Sequence, residues 1–270
     1  MFVIYFVKGG MAMYNFFNGI LADRNGGATF SCFGIYHFIY MLLISGGIAL
    51  AILILRKRSV KVKKKAINMS ISFAFGLYVL DFFLMPFAYG KIDIEKLPFH
   101  ICTVSCVLCF LSRHTKFFEK FKVQFALLGF ISNLVYVVYP AGVGWYQIHP
   151  LSYRVYQTLL FHGSMVLYGM LVLIYDNIKL SYKKCCKDLL VLGALVLWAV
   201  LGNTLYNGEL GFFNWFFVVR DPFYIIPKSF SPYVMPFIII ATFFAADLIL
   251  YSVYFGIKKL LKNNFESILK

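Results

Sequence analysis

Seven times between residues 33 and 256 the chain runs for about 15 to 24 residues with hardly a charge, and its lysines and arginines gather in short blocks between the runs. A run of ~20 apolar residues is long enough to cross a ~30 Å hydrocarbon layer as a helix. Backbone amides inside lipid have no water to bond, so a spanning segment that is not part of a closed barrel must be helical. The pattern therefore predicts an all-α, polytopic membrane protein forming one integral membrane domain over residues 1–270. The expected helices lie near 33–55, 67–89, 98–112, 121–139, 154–175, 187–206 and 233–256. Residues 1–32 are expected as an extracytoplasmic interfacial arm, with Phe16, Phe17, Ile20 and Leu21 available to lie on lipid. The basic stretch 257–270 is expected as a cytoplasmic tail. Composition agrees: 14% of residues are charged, against about a quarter in a soluble domain.

The basic blocks set an orientation. RKRSVKVKKK after the first run, RHTKFFEKFK after the third, the lysines at 179, 183, 184 and 187, and those at 258, 259, 262 and 270 together hold 19 of the 26 Lys and Arg. The alternate loops hold only seven. Cytoplasmic loops carry the positive excess, so the N-terminus is expected outside and the C-terminus inside, in a multi-pass protein of the cell membrane. The net charge of +15 is then directed at an anionic inner leaflet rather than at nucleic acid, for which no separate basic domain or motif exists. On the outer side, residues 207–232 are rich in aromatics and prolines without forming a clean run. They read as an interfacial or re-entrant lid.

Ionisable and polar side chains within spans are costly and mark candidate sites. Counted at about 1.5 Å per residue, His37, Asp81, His100, Cys102, His162 and Asn203 all fall in the outer half of the membrane, on five different helices. Asp247 lies toward the cytoplasmic end of the last run and is expected to be structural or snorkelling. Cys102, Cys106 and Cys109 form one helical stripe, which for Cys106 and Cys109 reads as close packing. Cys102, nearest the aqueous mouth, remains a candidate nucleophile. No zinc-binding spacing is present. His37, Asp81, His100 and His162 have acceptable ligand chemistry, but nothing in their spacing demands a metal. Neither a metal nor a cofactor is expected.

Five pieces, FSCFGIYH (30–37), LPFHIC (97–102), FHG (161–163), Asn203 with the loop after it, and FNWFFVVRDP (213–222), occur in an order and spacing that resembles the YwaF family of bacterial seven-helix membrane proteins. A distant eukaryotic relative of that family remodels ether phospholipids as an acyltransferase, with a cysteine nucleophile next to the histidine that opens helix three. That resemblance carries the histidine over to His100. It does not carry over the nucleophile, because Phe99 stands before His100 and the nearest thiol is Cys102.

The expected function is a lipid-modifying enzyme, acyltransferase-like, acting on a phospholipid or other membrane lipid from an outer-leaflet polar pocket. Its candidate catalytic residues are His100, His162, Cys102 and Asp81. His37, Asn203, Asn214 and Trp215 are the candidate substrate contacts. A non-enzymatic transporter, receptor-like or structural protein is the alternative, and a metal-dependent membrane hydrolase a further one.

Overall fold

The computed structural model describes residues 27–89, 94–144, 148–176, 178, 180–182, 185–206 and 214–268, and the secondary structure they form is helical. The helices that correspond to the seven expected runs are α1 (Ile35–Arg56), α2 (Val60–Tyr89), α3 (Ile101–His114), α4 (Lys122–Val138), α5 (Tyr153–Tyr175), α6 (Cys185–Tyr206) and α7 (Ser231–Ile268). Six of them are long and apolar enough to cross a membrane. The exception is α3, whose 14 residues reach about 21 Å at 1.5 Å each. Most of the interfacial arm expected over 1–32 lies outside the described residues.

Two boundaries differ from expectation. The basic block after α1 is not a loop: only residues 57–59 separate the first two helices, and Lys61, Lys63, Lys64 and Lys65 already belong to α2. Likewise α7 continues through the basic stretch to Ile268. Lysine is a good helix former, and no glycine or proline interrupts either stretch, so both helices carry on past the apolar run that defined them. The tail expected from 257 is thus mostly helical.

Burial separates centre from periphery. In its most apolar stretch α4 is 65% buried, against 6% for α1 and 11% for α7. The most extensive packing joins α4 to α5, α2 to α5 and α3 to α4. Leu42, Leu43, Leu50 and Leu53 on α1 and Phe237 and Ile249 on α7 face outward, the surface that lipid would cover. Where α3, α4 and α5 meet, Gly129 permits the approach: a Cβ there would stand 3.1 Å from Met165 Cε and 3.5 Å from Cys109 Sγ. Cys106 and Cys109 are fully buried in this core, as the packing reading of the stripe expects.

Of the two roles expected for Asp247, structural or snorkelling, burial leaves the first. It is 0% exposed, so it does not snorkel, and neither of its carboxylate oxygens has a partner among the described residues. Asp188 of α6, which the charge pattern did not single out, is buried as well and accepts a 2.7 Å hydrogen bond from Tyr251 Oη.

Candidate functional site

The segment before α3 is short and bent. A turn over Ile94–Lys96 leads through Pro98 to His100, whose extended backbone (φ −75°, ψ 144°) caps α3. Its anchors come from two helices: Tyr78 Oη donates to Lys96 O at 2.9 Å and Trp198 Nε1 donates to Pro98 O at 2.7 Å. Lys96 Nζ reaches Asp81 Oδ2 at 2.8 Å. Asp81 is 2% exposed and its Oδ1 has no hydrogen-bond partner among the described residues. One unpaired buried carboxylate would be costly at this depth, and Lys96, entering from the surface, supplies its counter-charge.

His162 lies deeper, on α5, buried and pressed flat against Tyr136 of α4, with 3.7 Å between ring centroids and 10° between planes. Its Nδ1 lies 2.6 Å from Thr158 O. A carbonyl oxygen only accepts, so Nδ1 is the protonated nitrogen and the lone pair of the neutral ring sits on Nε2. No described residue bonds that nitrogen. His100 has the opposite arrangement. Its Nδ1 accepts from the Phe216 backbone N–H at 3.4 Å, a long hydrogen bond, which leaves Nε2 of the neutral ring as the N–H donor. Both His100 and Lys96 lie within electrostatic reach of His162.

The lid contributes that Phe216 amide. Asn203 on α6 holds the peptide of Trp215 from both sides, accepting from its N–H at 3.0 Å and donating to its carbonyl at 3.0 Å, with a second donation to Ala199 O at 2.8 Å. Asn214 closes the next turn, accepting from Val219 N and Arg220 N at 3.1 and 3.0 Å and donating to Arg220 O at 2.8 Å. Trp215 is buried against Phe99, with ring centroids 4.9 Å apart, and Phe99 in turn stacks on Trp198 and fits where a side chain at Gly202 would collide with it. Phe216 and Phe217 have φ of 61° and 56°, a left-handed conformation that residues other than glycine, asparagine and aspartate seldom adopt. Such a residue persists where its surroundings over-determine it, at a cost of about 1–3 kcal/mol. Here Asn203 and Asn214 fix the lid on either side, and the result aims Phe216 N–H at His100.

Beyond Phe216 the lid is tied to α7 through Asp221. Its carboxylate accepts from the N–H groups of Phe223, Ile225 and Ile226 at 2.9, 2.7 and 2.9 Å, and its own N–H donates to Ser231 Oγ at 2.7 Å. These backbone bonds, the one from Phe223 above all, hold the carboxyl below its ordinary range.

Asn203, the Trp215–Phe216 backbone and His100 are thus joined by hydrogen bonds, the Lys96–Asp81 pair holds the segment that bears His100, and His162 lies within electrostatic reach. His37 is attached at one remove. Its Nδ1 accepts from Phe33 N at 3.0 Å and its Nε2 donates to the carbonyl of Val137 at 2.9 Å, next to Tyr136. Both its nitrogens are therefore engaged with backbone, as is the carboxamide of Asn203. Cys102 has a different neighbour, Ser132 of α4, whose hydroxyl donates to Gly129 O and receives Asn133 Nδ2, both at 3.3 Å. Among the described residues no group of three or more His, Cys, Asp or Glu side chains is arranged to hold a metal ion, so the hydrolase alternative finds no ligand set there.

Against this geometry, a family model matches residues 32–255, from just before α1 to within α7. The chain belongs to the TMEM164 family. The matched region includes every candidate residue named above, so with its six span-length apolar helices the chain is a multi-pass membrane protein of that family. No curated protein and no solved structure matches it.

Sequence reasoning missed Lys96 as the partner of Asp81, Tyr136 as the platform under His162, and Asn133, whose Oδ1 is buried without a partner among the described residues. Lys96 was visible only as an interfacial charge in an outer loop. Asn133 lies in an apolar run at about the depth of the layer, the same signal that marks Asn203.

Proposed function

We propose that this TMEM164-family chain is a YwaF-type enzyme of the cell membrane that transfers an acyl chain between lipids at the outer leaflet. On this reading α3 completes a seventh crossing together with the segment before it, which places the N-terminus outside and the basic helix ends in the cytoplasm. The observation that carries the proposal is the pair of histidines with opposite proton placement: His162 offers an Nε2 lone pair that no described residue bonds, and His100 offers an Nε2–H.

In this scheme His162 Nε2 takes the proton of a lipid hydroxyl as its oxygen attacks the acyl carbonyl carbon of a donor ester. His100 Nε2–H bonds the oxygen that becomes negative. When the intermediate collapses, the bond from the carbonyl carbon to the donor oxygen breaks. That oxygen leaves with the proton from the His162 imidazolium, so no proton is gained or lost. Lys96 and Asp81 fix the segment that bears His100, and Asn203 of α6 with the lid residues Asn214 and Trp215 presents the Phe216 amide that sets its tautomer. Cys102, which neighbours Ser132, is a wall residue in direct transfer; acyl-thioester chemistry would make it the nucleophile.

Comparative lipidomics of cells expressing wild type, His100→Ala or His162→Ala tests the proposal. The expected result is a change in acyl-chain composition of one phospholipid class that both variants lose. An unchanged lipidome together with altered solute uptake or sensing would support the transporter or receptor-like reading instead.

A further inference from the structure

At the opposite, basic end of the bundle the ends of α2, α3 and α4 and the helical turn Lys116–Glu119 enclose a cleft of about 370 Å³. That lies within the roughly 300–1,000 Å³ usual for small-ligand sites. Its wall holds four permanent cations, Lys64, Arg113, Lys116 and Lys122, against two carboxylates, Glu119 and Asp176. Asp176, just past the end of α5, is already engaged. Arg113 Nη2 lies 2.8 Å and Lys122 Nζ 3.7 Å from its Oδ2, and Arg113 Nε donates to Tyr168 Oη at 3.2 Å. Arg113 is therefore a fixed, half-buried donor at the floor of the cleft. Lys64 and Lys116 are exposed at its rim and pair with no described carboxylate. Asn68, one turn after Lys64 on the same face of α2, adds an amide to the lining.

The surroundings distinguish a lipid from a soluble anion. Phe117, between the cleft residues Lys116 and Glu119, is 65% exposed, and Lys120 Nζ lies 4.5 Å from its ring centre. Val60 and Val62 are likewise exposed among the lysines that open α2. Apolar side chains interleaved with lysines at a helix end suit the boundary between acyl chains and headgroups, and basic pockets between helices on the cytoplasmic side, where the positive blocks are expected, bind anionic headgroups.

We infer that this cleft is a binding site for the phosphate headgroup of an anionic lipid, with Lys64, Arg113 and Lys116 as its ligands. The site is separate from the histidine pair and does not depend on any activity there.

The test titrates full-length protein in neutral detergent with dioctanoyl phosphatidic acid, dioctanoyl phosphatidylcholine or inorganic phosphate, read by native mass spectrometry. Phosphatidic acid is expected to bind and phosphatidylcholine to bind at least about tenfold more weakly. The double variant Lys64→Gln/Lys116→Gln is expected to weaken phosphatidic acid binding roughly 25-fold, at about fivefold per lysine. The charge-matched control Lys258→Gln/Lys259→Gln, on exposed positions of α7, is expected to leave binding within about twofold. Equal binding of phosphatidylcholine, or equal weakening by the control pair, would overturn the site. Displacement of the lipid by equimolar inorganic phosphate would assign the cleft to free phosphate and overturn the lipid.

Discussion

The ring of His162 lies flat on Tyr136 at 3.7 Å while its Nδ1 is turned onto the Thr158 carbonyl at 2.6 Å. Stacking fixes the plane of the imidazole and the hydrogen bond fixes its rotation, so Nε2 can point in only one direction. In the proposed reaction Tyr136 is a positioning residue. Tyr136→Phe, which keeps the face, is expected to retain activity within a few-fold. Tyr136→Ala, which removes a contact worth about 0.5–1.5 kcal/mol, is expected to lower kcat by up to about tenfold with little change in KM. Steady-state kinetics on the two variants checks this; equal losses in both would show that the hydroxyl matters rather than the stack.

Asn203 uses its whole carboxamide to hold the Trp215 peptide and the α6 backbone. Asn203→Leu would remove the carboxamide's bonds to the N–H and carbonyl of Trp215, at about 1–3 kcal/mol for the lost N–H partner, while the carbonyl keeps the 3.5 Å bond from Val218 N. The lid should then release. The expected outcome is a red-shifted tryptophan emission and a lowered Tm, with Asn203→Asp intermediate because it retains the acceptor. An unshifted emission in Asn203→Leu would mean that the lid is held by aromatic packing alone.

The Lys96–Asp81 pair predicts non-additivity. Lys96→Met strands a carboxylate that is 2% exposed. Removing one partner of a buried pair costs about 3–5 kcal/mol, and partial exposure of Lys96 places this case toward the lower end. Lys96→Met/Asp81→Asn should recover much of that loss, giving a coupling of about 1–3 kcal/mol in a double-mutant cycle measured by thermal unfolding. Additive losses would show that the ion pair contributes nothing beyond its separate members.

Asp221 makes the lid acid-sensitive. Its three backbone N–H bonds favour the carboxylate, so its folded pKa lies below the ordinary 3.8. A depressed carboxylate pKa stabilises fully above the unfolded value, and the contribution is lost as pH falls through the folded one. Lid protection should therefore be constant from pH 7 to about 5 and decline below about pH 4. Asp221→Asn should remove that decline. Hydrogen exchange at residues 223–226 across this range measures it, and an identical acid profile in the variant would refute the assignment.

The helices were legible because apolar length and basic blocks are strong one-dimensional signals. Their ends were less so: Lys61 to Lys65 and residues 257–268 read as loop and tail by charge, yet continue the helices because nothing in them breaks one. In the site, His100, His162 and Asp81 stood out because charge is rare at that depth. Their partners did not, since pattern alone does not tell which neighbouring helix a side chain meets. Lys96 looked like an interfacial charge, Tyr136 like one tyrosine among 19, and Asn203 like a substrate ligand, whereas its carboxamide is spent on the lid backbone. For Asp247 the choice between a structural and a snorkelling role was not legible, because its burial near Asp188 depends on how α6 and α7 pack.

The most direct measurement is acyl transfer by purified protein in liposomes containing a phospholipid with a labelled acyl chain and a lysophospholipid acceptor. The account predicts labelled product from wild type and a loss of about 10²–10⁴-fold in His162→Ala, as for removal of a general base. It also predicts a comparable loss in His100→Ala and activity within a few-fold of wild type in Cys102→Ser. Full activity in His162→Ala, or no transfer by wild type, would contradict it, and loss in Cys102→Ser alone would replace direct transfer with an acyl-thioester route.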